Sequence, residues 1–433
     1  MNAARRVLGI TVLVVAGEAA FALPFHVARF FRPTLLAGLG VSNTELGGLF
    51  AAYGIVAALC YFPGGLLADR FAARRLMTAS LVLTGAGGLV LAALPGQRGS
   101  LVTLLVTLLV IYACFGLTTI LLFWAALIRV TRRRGGAGRQ GAAFGALDGG
   151  RGLFAAGLAS LASIPFAAAF DDPAAATADE RVQALRAVFL VYTAVTFAAA
   201  ALVWWTVPDE HDEHDEHDEP PVRQRVDWRR VAGALAEPRI GAQALIVLAA
   251  YCAYKGIDNY SLYIMHAYGI DEVEASQAIV RVAWLRPVAA LAAGLLADRI
   301  RATFAAALCF ALLLAGYCVL AGATPGGGVD VAWVSLAVTC GAAFGLRGVY
   351  FAVLDEARIA PAITGTAVGL ISMIGFLPEI FIAPVTGWLL DRSPGLAGHH
   401  DVFLVLAAVA LAGLLVSLLL ARRLSRPPTP GDA

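Results

Sequence analysis

Gly65-Leu66-Leu67-Ala68-Asp69-Arg70 recurs letter for letter as Gly294-Leu295-Leu296-Ala297-Asp298-Arg299, a little over half a chain length further on. Each copy closes a long apolar run and opens a short basic loop. A charged hinge repeated between hydrophobic segments implies two homologous membrane bundles, and a duplicated bundle points to a transporter.

Composition supports this reading. Of the 433 residues 60% are hydrophobic, only 14% are charged, and the mean hydropathy is +0.78. A soluble chain of this length has too little polar surface to cover so much apolar area. A bilayer span needs roughly 20 apolar residues as helix. About twelve such spans are legible, near 7–29, 44–68, 75–94, 101–129, 141–169, 184–207, 239–266, 273–297, 303–322, 331–353, 363–390 and 402–421. The predicted fold is an all-α membrane protein of twelve transmembrane helices in two pseudo-symmetric six-helix bundles. Residues 1–207 form the first bundle, 208–238 a cytoplasmic linker and 239–433 the second bundle.

Arginine placement predicts the orientation. With both termini in the cytoplasm, the loops Arg70–Arg75, Arg129–Arg139, Arg223–Arg239 and Arg299–Arg301 and the tail Arg422–Arg426 all fall inside. The opposite loops, Phe170–Glu180 and Ala323–Asp330 among them, are acidic or neutral, which is the positive-inside pattern. The N-terminal stretch Met1–Arg6 is too short for the basic region of a cleaved signal peptide, so the first apolar run reads as a span. A net charge of only +2 gives no case for a nucleic-acid partner. Cys60, Cys114, Cys252, Cys309, Cys318 and Cys340 all lie in apolar runs and read as packing residues, so no metal or cofactor is expected. The segment Pro208–Trp228 carries His-Asp-Glu repeats from His211 through His217. Its composition is that of a solvated linker, with weak transition-metal binding as the alternative reading.

Asp69 ends its helix where the helix dipole repels a carboxylate. It therefore calls for a partner: an arginine of its own loop, or the start of the eleventh span near Thr364-Gly365-Thr366. Gly65, one turn earlier, would admit a close helix approach. Asp298 is the counterpart, facing the start of the fifth span near Gly141–Gly145. Such contacts would latch one of two states.

Gly65-x-Leu67-Ala68-Asp69-Arg70-x-x-x-Arg74 resembles the signature loop of the major facilitator superfamily, and the resemblance covers essentially the whole chain. The family pattern usually has glycine and a basic residue at the positions of Ala72 and Ala73, which leaves Arg74 and Arg75 as basic partners. The resemblance implies secondary transport by alternating access rather than enzymatic chemistry, in a bacterial-type inner membrane. A gating role falls on Gly65, Asp69, Arg70, Arg74, Asp298, Arg299 and Arg151. Within the superfamily, Tyr61-Phe62-Pro63-Gly64-Gly65, the stretch Asp148–Gly152 and Lys255 look closest to the organophosphate and organic-anion groups. The seventh-span base of those groups matches Lys255, while Arg29 lies only near the outer end of the first span. The central second-span base of nitrate porters and the proline-containing fifth-span motif of drug antiporters are missing.

An ionisable residue near the bilayer centre costs at least about 2.5–3.5 kcal/mol on insertion scales, so such residues face a bundle interior or a wet cavity. By position these are Glu18, Asp148, Arg151, Lys255, Asp258, Arg281, Arg286, Arg347 and Glu379. The spacing Asp148/Arg151 and Lys255/Asp258 puts each pair on one helix face. Lys255 is the single lysine of the chain. Lysine is a compact charge that arginine does not replace, and a place mid-span selects it for cargo. Arg347 lies between Gly345 and Gly348, which would leave room for its side chain or for a ligand. Of Arg281 and Arg286 only one can line a cavity, and position favours Arg286. His26 and Arg29, one turn apart, suit a vestibule or a site. Lys255, Arg286, Arg347, Tyr251 and Tyr254 are therefore the expected substrate contacts, and the excess of bases selects a small organic anion. Glu18, Glu379, Asp148 and Asp258 are the candidates for proton coupling, with permanent bridges to arginines as the bland alternative for the two glutamates. The expected partners are the anion, protons and the lipid bilayer, with the chain acting as a monomer. Two other functions stay open: a proton antiporter exporting amphipathic or cationic compounds, and a non-transporting membrane sensor. No Gly-x-x-x-x-Gly-Lys loop exists to support nucleotide-driven pumping.

Overall fold

The computed structural model describes residues 3–97, 99–135, 140–208, 237–323, 329–350, 352–356 and 364–425. The His-Asp-Glu tract and most of the linker lie outside them, as do the side chains at 364–366 and 141–144 named as latch partners. Among the described residues twelve helices are long and apolar enough to cross a membrane. They are α1 (Val7–Phe30), α2 (Asn43–Arg70), α3 (Ala73–Ala93), α4 (Leu101–Arg134), α5 (Gly145–Ala167), α6 (Ala178–Thr206), α7 (Pro238–Tyr268), α8 (Glu272–Ile300), α9 (Ala302–Ala321), α10 (Val331–Val349), α11 (Leu370–Arg392) and α12 (Leu396–Leu424).

Local chemistry sets their ends. Ser42 and Glu45 form a capping box on α2, and Thr177 and Glu180 form one on α6, each satisfying orphan amides of the first turn. Asp271 caps α8 through the amides of Val273 and Glu274. Several spans break inside. α1 makes a π-helical turn at Ala22–His26, around Pro24. α7 makes a 3-10 turn at Ile257–Asn259. α8 is interrupted at Trp284, just before Pro287, and α11 at Phe376-Leu377, just before Pro378. Proline removes one backbone donor and crowds the preceding turn, which accounts for the last two breaks.

The chain forms two compact units. One contains residues 1–222, 258–284 and 383–391, so the second half of α7, the first half of α8 and the end of α11 join the six N-terminal spans. The other contains residues 223–257, 285–382 and 392–433. In the first unit small residues let helices close on one another: Gly116 meets the backbone of Tyr53, Gly150 meets Val14, and Ala16, Ala19 and Ala20 of α1 are fully buried beside Phe123 and Met77. In the second unit α9 lies along α12, with Gly413 against the Phe310 ring and Phe403 stacked on Tyr317. None of the six cysteines is joined in a disulfide.

Candidate functional site

The second unit holds an ionic cluster built at helix ends. Lys255 lies in the last turn of the straight part of α7, and Glu379 in the first turn after the break in α11. A helix dipole favours a cation at its C-terminal end and an anion at its N-terminal end, so each break places a charge where the backbone welcomes it. Lys255 Nζ is 3.1 Å from Glu379 Oε1, and both side chains are buried. The Tyr251 hydroxyl donates to Glu379 Oε2 at 2.5 Å. Tyr251 leans on Phe376 and Tyr254, and the Arg347 guanidinium lies over the Tyr254 ring, 4.4 Å from its centroid. Arg286 is buried, while Arg281 is exposed and reaches Gln277.

A 3-10 turn at Ile257–Asn259 follows Lys255 along the chain, and Asp258 Oδ1 accepts from Arg29 Nε at 2.6 Å within the first unit. The glycines flanking Arg347 are spent otherwise than expected. A Cβ at Gly348 would fall 2.8 Å from the Ala290 carbonyl oxygen, and one at Gly345 3.1 Å from the Ala293 Cβ, so both seat α10 against α8.

A second cluster lies in the first unit. Arg151 Nε donates to Glu18 Oε2 at 2.9 Å, and His26 Nε2 is 3.1 Å from Glu18 Oε1. Arg151 lies against the rings of Phe21 and Trp124. Arg151 thereby bridges to another helix, and Asp148 is half-buried. The bridge places Glu18, the acid without a same-helix partner in the sequence, on an arginine of another span.

The ends of this unit differ. At the end carrying the hexapeptide loop, Asp69 and Arg70 are exposed, and Arg74 lies over the Trp204 ring. Asp298 and Arg299 of the second unit are exposed as well. The close approach expected at Gly65 falls at Gly64, whose Cβ would sit 3.0 Å from the Ile120 carbonyl oxygen; a Cβ at Gly65 would meet no described atom within 4 Å. The reason is rotational, since neighbours on a helix face directions about 100° apart.

The far end of the same unit is sealed by polar contacts. Besides Arg29–Asp258, Glu272 accepts from Arg181 Nε and from the Thr34 hydroxyl, each at 2.5 Å. Asp391 accepts from the backbone amides of Asn43 and Thr44, at 3.2 and 2.7 Å, and from the Asn43 side-chain amide. Asn43 in turn accepts from the buried Arg32. Asp391 and Glu272 escape the sequence reading because they lie at span ends, where charges are ordinary. A signal existed for Asp391: Gly387-Trp388-Leu389-Leu390-Asp391-Arg392 ends α11 as Gly65-Leu66-Leu67-Ala68-Asp69-Arg70 ends α2.

Breaks placed mid-span, charges at the broken ends and a polar seal at one end define a solute transporter. The sequence pattern of the Major Facilitator Superfamily matches residues 10–382, and the chain belongs to that family. It is therefore a secondary transporter and not an enzyme. Two relatives are Escherichia coli (strain K12) inner membrane proteins. YqcE is 25% identical over 423 residues, covering 96% of this chain and 94% of its own length. YihN is 25% identical over 424 residues, covering 96% and 95%. Among solved structures, a bacterial homologue of the human lysosomal transporter Spinster, inward-facing and unoccupied, superposes with a TM-score of 0.75 at 14% identity, covering 99% of this chain and all of that one. That likeness concerns the fold.

Proposed function

We propose that the chain carries a small organic anion together with a proton by alternating access, and that Lys255 and Glu379 are the exchange point. The observation behind this reading is the charge balance of the described mid-span residues in the second unit: Lys255, Arg286 and Arg347 against Glu379. Such a surplus suits a carboxylate, phosphate or sulfonate, which Lys255 would meet through charge-assisted hydrogen bonds. The three bases and the rings of Tyr251 and Tyr254 supply the substrate contacts.

The pairing itself supports coupling. An uncompensated ion inside a protein costs several kcal/mol. An anion arriving on Lys255 beside an ionised Glu379 adds a negative charge. A proton arriving on Glu379 without an anion leaves Lys255 uncompensated. Only the empty pair and the doubly loaded site keep the charge constant, so proton and anion travel together. In this reading Glu379 holds the place of the cargo, and Tyr251 holds Glu379.

The positive-inside arrangement supports a cytoplasmic place for the hexapeptide loops and both termini. The linker 208–238 then joins the bundles 1–207 and 239–433 on that side, and Gly65, Asp69, Arg70, Arg74, Asp298 and Arg299 act as gating residues there. The protein works as a monomer in an inner (plasma) membrane.

A thermal-shift screen with lactate, glycerol 3-phosphate and ethanesulfonate, at two pH values straddling neutrality, tests the cargo class. A ligand at a hundred times its Kd adds about 2.7 kcal/mol of stability, an easily read shift. Stabilisation should be larger on the acid side and vanish in Lys255→Ala. Stabilisation by organic cations instead, indifferent to Lys255→Ala, would overturn the reading.

A further inference from the structure

The cluster in the first unit contains a histidine that the cargo exchange does not use. His26 is buried, with Glu18 on one side and the Phe30 and Tyr192 rings on two others, at centroid distances of 5.7 and 5.9 Å. The backbone makes this placement. Eight residues of regular α-helix turn through 800°, leaving side chains at positions 18 and 26 about 80° apart. The π-helical turn Ala22–His26 takes up one extra residue and brings both onto one face. π-turns are rare and recur at functional sites.

The hydrogen bonds also assign the ring nitrogens. Beside Arg151, which stays charged and donates to it, Glu18 is assigned as the carboxylate, which only accepts. With that assignment His26 Nε2, 3.1 Å from the other carboxylate oxygen, is the nitrogen that carries the hydrogen of the neutral ring. Proton exchange is left to Nδ1, which binds H⁺ to turn neutral imidazole into imidazolium. Other charged or titratable groups near this ring are Tyr192 on α6, and Arg29 one turn along α1, whose partner Asp258 comes from the second half of α7.

We propose that His26 binds a proton at Nδ1, forming with Glu18 and Arg151 a proton site in the N-terminal bundle that is separate from Lys255 and Glu379. Its part in transport rests on the proton-coupled reading above; the binding of the proton does not. His26 is one helical turn from Arg29, so its charge changes beside the arginine that holds Asp258 in the polar seal. The two bundles then each carry one titrating position.

The test uses the full chain in nanodiscs, with histidine labelled at 13Cε1 and the His26 resonance assigned by its loss in His26→Gln. The resonance should titrate in the range of about pH 5–8, where histidine changes charge. Glu18→Gln should move its midpoint by about one pH unit or more, the effect of an adjacent opposite charge. If the amide variant does not fold, Glu18→Asp, which withdraws the carboxylate by one methylene, must also move the midpoint. Lys255→Ala must leave it in place, so failure of the anion site and failure of this proposal give different results. A His26 resonance held in one state across the window, or one indifferent to both Glu18 variants, would overturn the proposal.

Discussion

Glu18 serves two partners with two oxygens, and this fixes what its loss would do. Glu18→Gln leaves Arg151 buried without its carboxylate, and breaking a buried pair on one side costs about 3–5 kcal/mol. Replacing both partners, as in Glu18→Leu with Arg151→Met, should recover most of that loss, because the desolvation cost of both charges disappears with them. Thermal unfolding in detergent checks the order: the single variant well below the double, and the double near the native chain. An equal loss in both would show that the pair is not a closed electrostatic unit. At the second cluster, Tyr251→Phe removes a hydrogen bond to a charged group, worth about 1.5–3 kcal/mol. It should displace the pH midpoint of anion binding while leaving the anion preference unchanged.

At this scale the sequence was half legible. Lys255 stood out because no other lysine occurs, and Glu379 because it had no same-helix partner. Their contact links residues 124 positions apart and needs two helix breaks, which no spacing rule carries. The i,i+3 rule assumes regular α-helix, and a 3-10 turn at Ile257–Asn259 lies between Lys255 and the end of that spacing. The π-turn at Ala22–His26 hid the Glu18–His26 contact in the same way.

Between elements, the sealed far end is where α2 and α11 meet closely. A Cβ at Gly47 would sit 2.6 Å from the Ala383 carbonyl oxygen, and Gly387 touches the Asn43 backbone as closely. Asp391 then lies on the first amides of α2, where the helix dipole and orphan N–H groups favour a carboxylate. The sequence placed this kind of docking at the opposite end, for Asp69 on the start of α11. The same residue pattern at the end of α11 makes it at the far end, because the amides there are uncovered and glycine on both helices permits the approach. Asp391→Ala should weaken the seal by about 0.5–2 kcal/mol, the range for loss of a capping side chain. Gly47→Val should weaken it further by steric exclusion. A cysteine placed at Thr34 reports both: its maleimide labelling from the far side should quicken in each variant. Unchanged labelling would assign the seal to other contacts.

For the whole molecule, hydropathy and the doubled hexapeptide were enough for twelve spans and a duplicated architecture, because both are properties of long segments. The breaks that gather α7, α8 and α11 half-helices into the first unit depend on single turns, and the sequence reading of 239–433 as one continuous bundle does not contain them. Those turns create the charged helix ends on which the proposed chemistry stands. The account therefore depends on one coupling rule: the anion and the proton occupy the Lys255–Glu379 pair together or not at all. Proteoliposomes holding a pH-sensitive dye, challenged with an anion that stabilises the purified protein, test it directly. Anion entry should carry protons inward, and Glu379→Gln should keep anion binding at every pH while abolishing the proton signal. Anion uptake without proton movement in the native chain, or a proton signal that survives Glu379→Gln, would contradict the account.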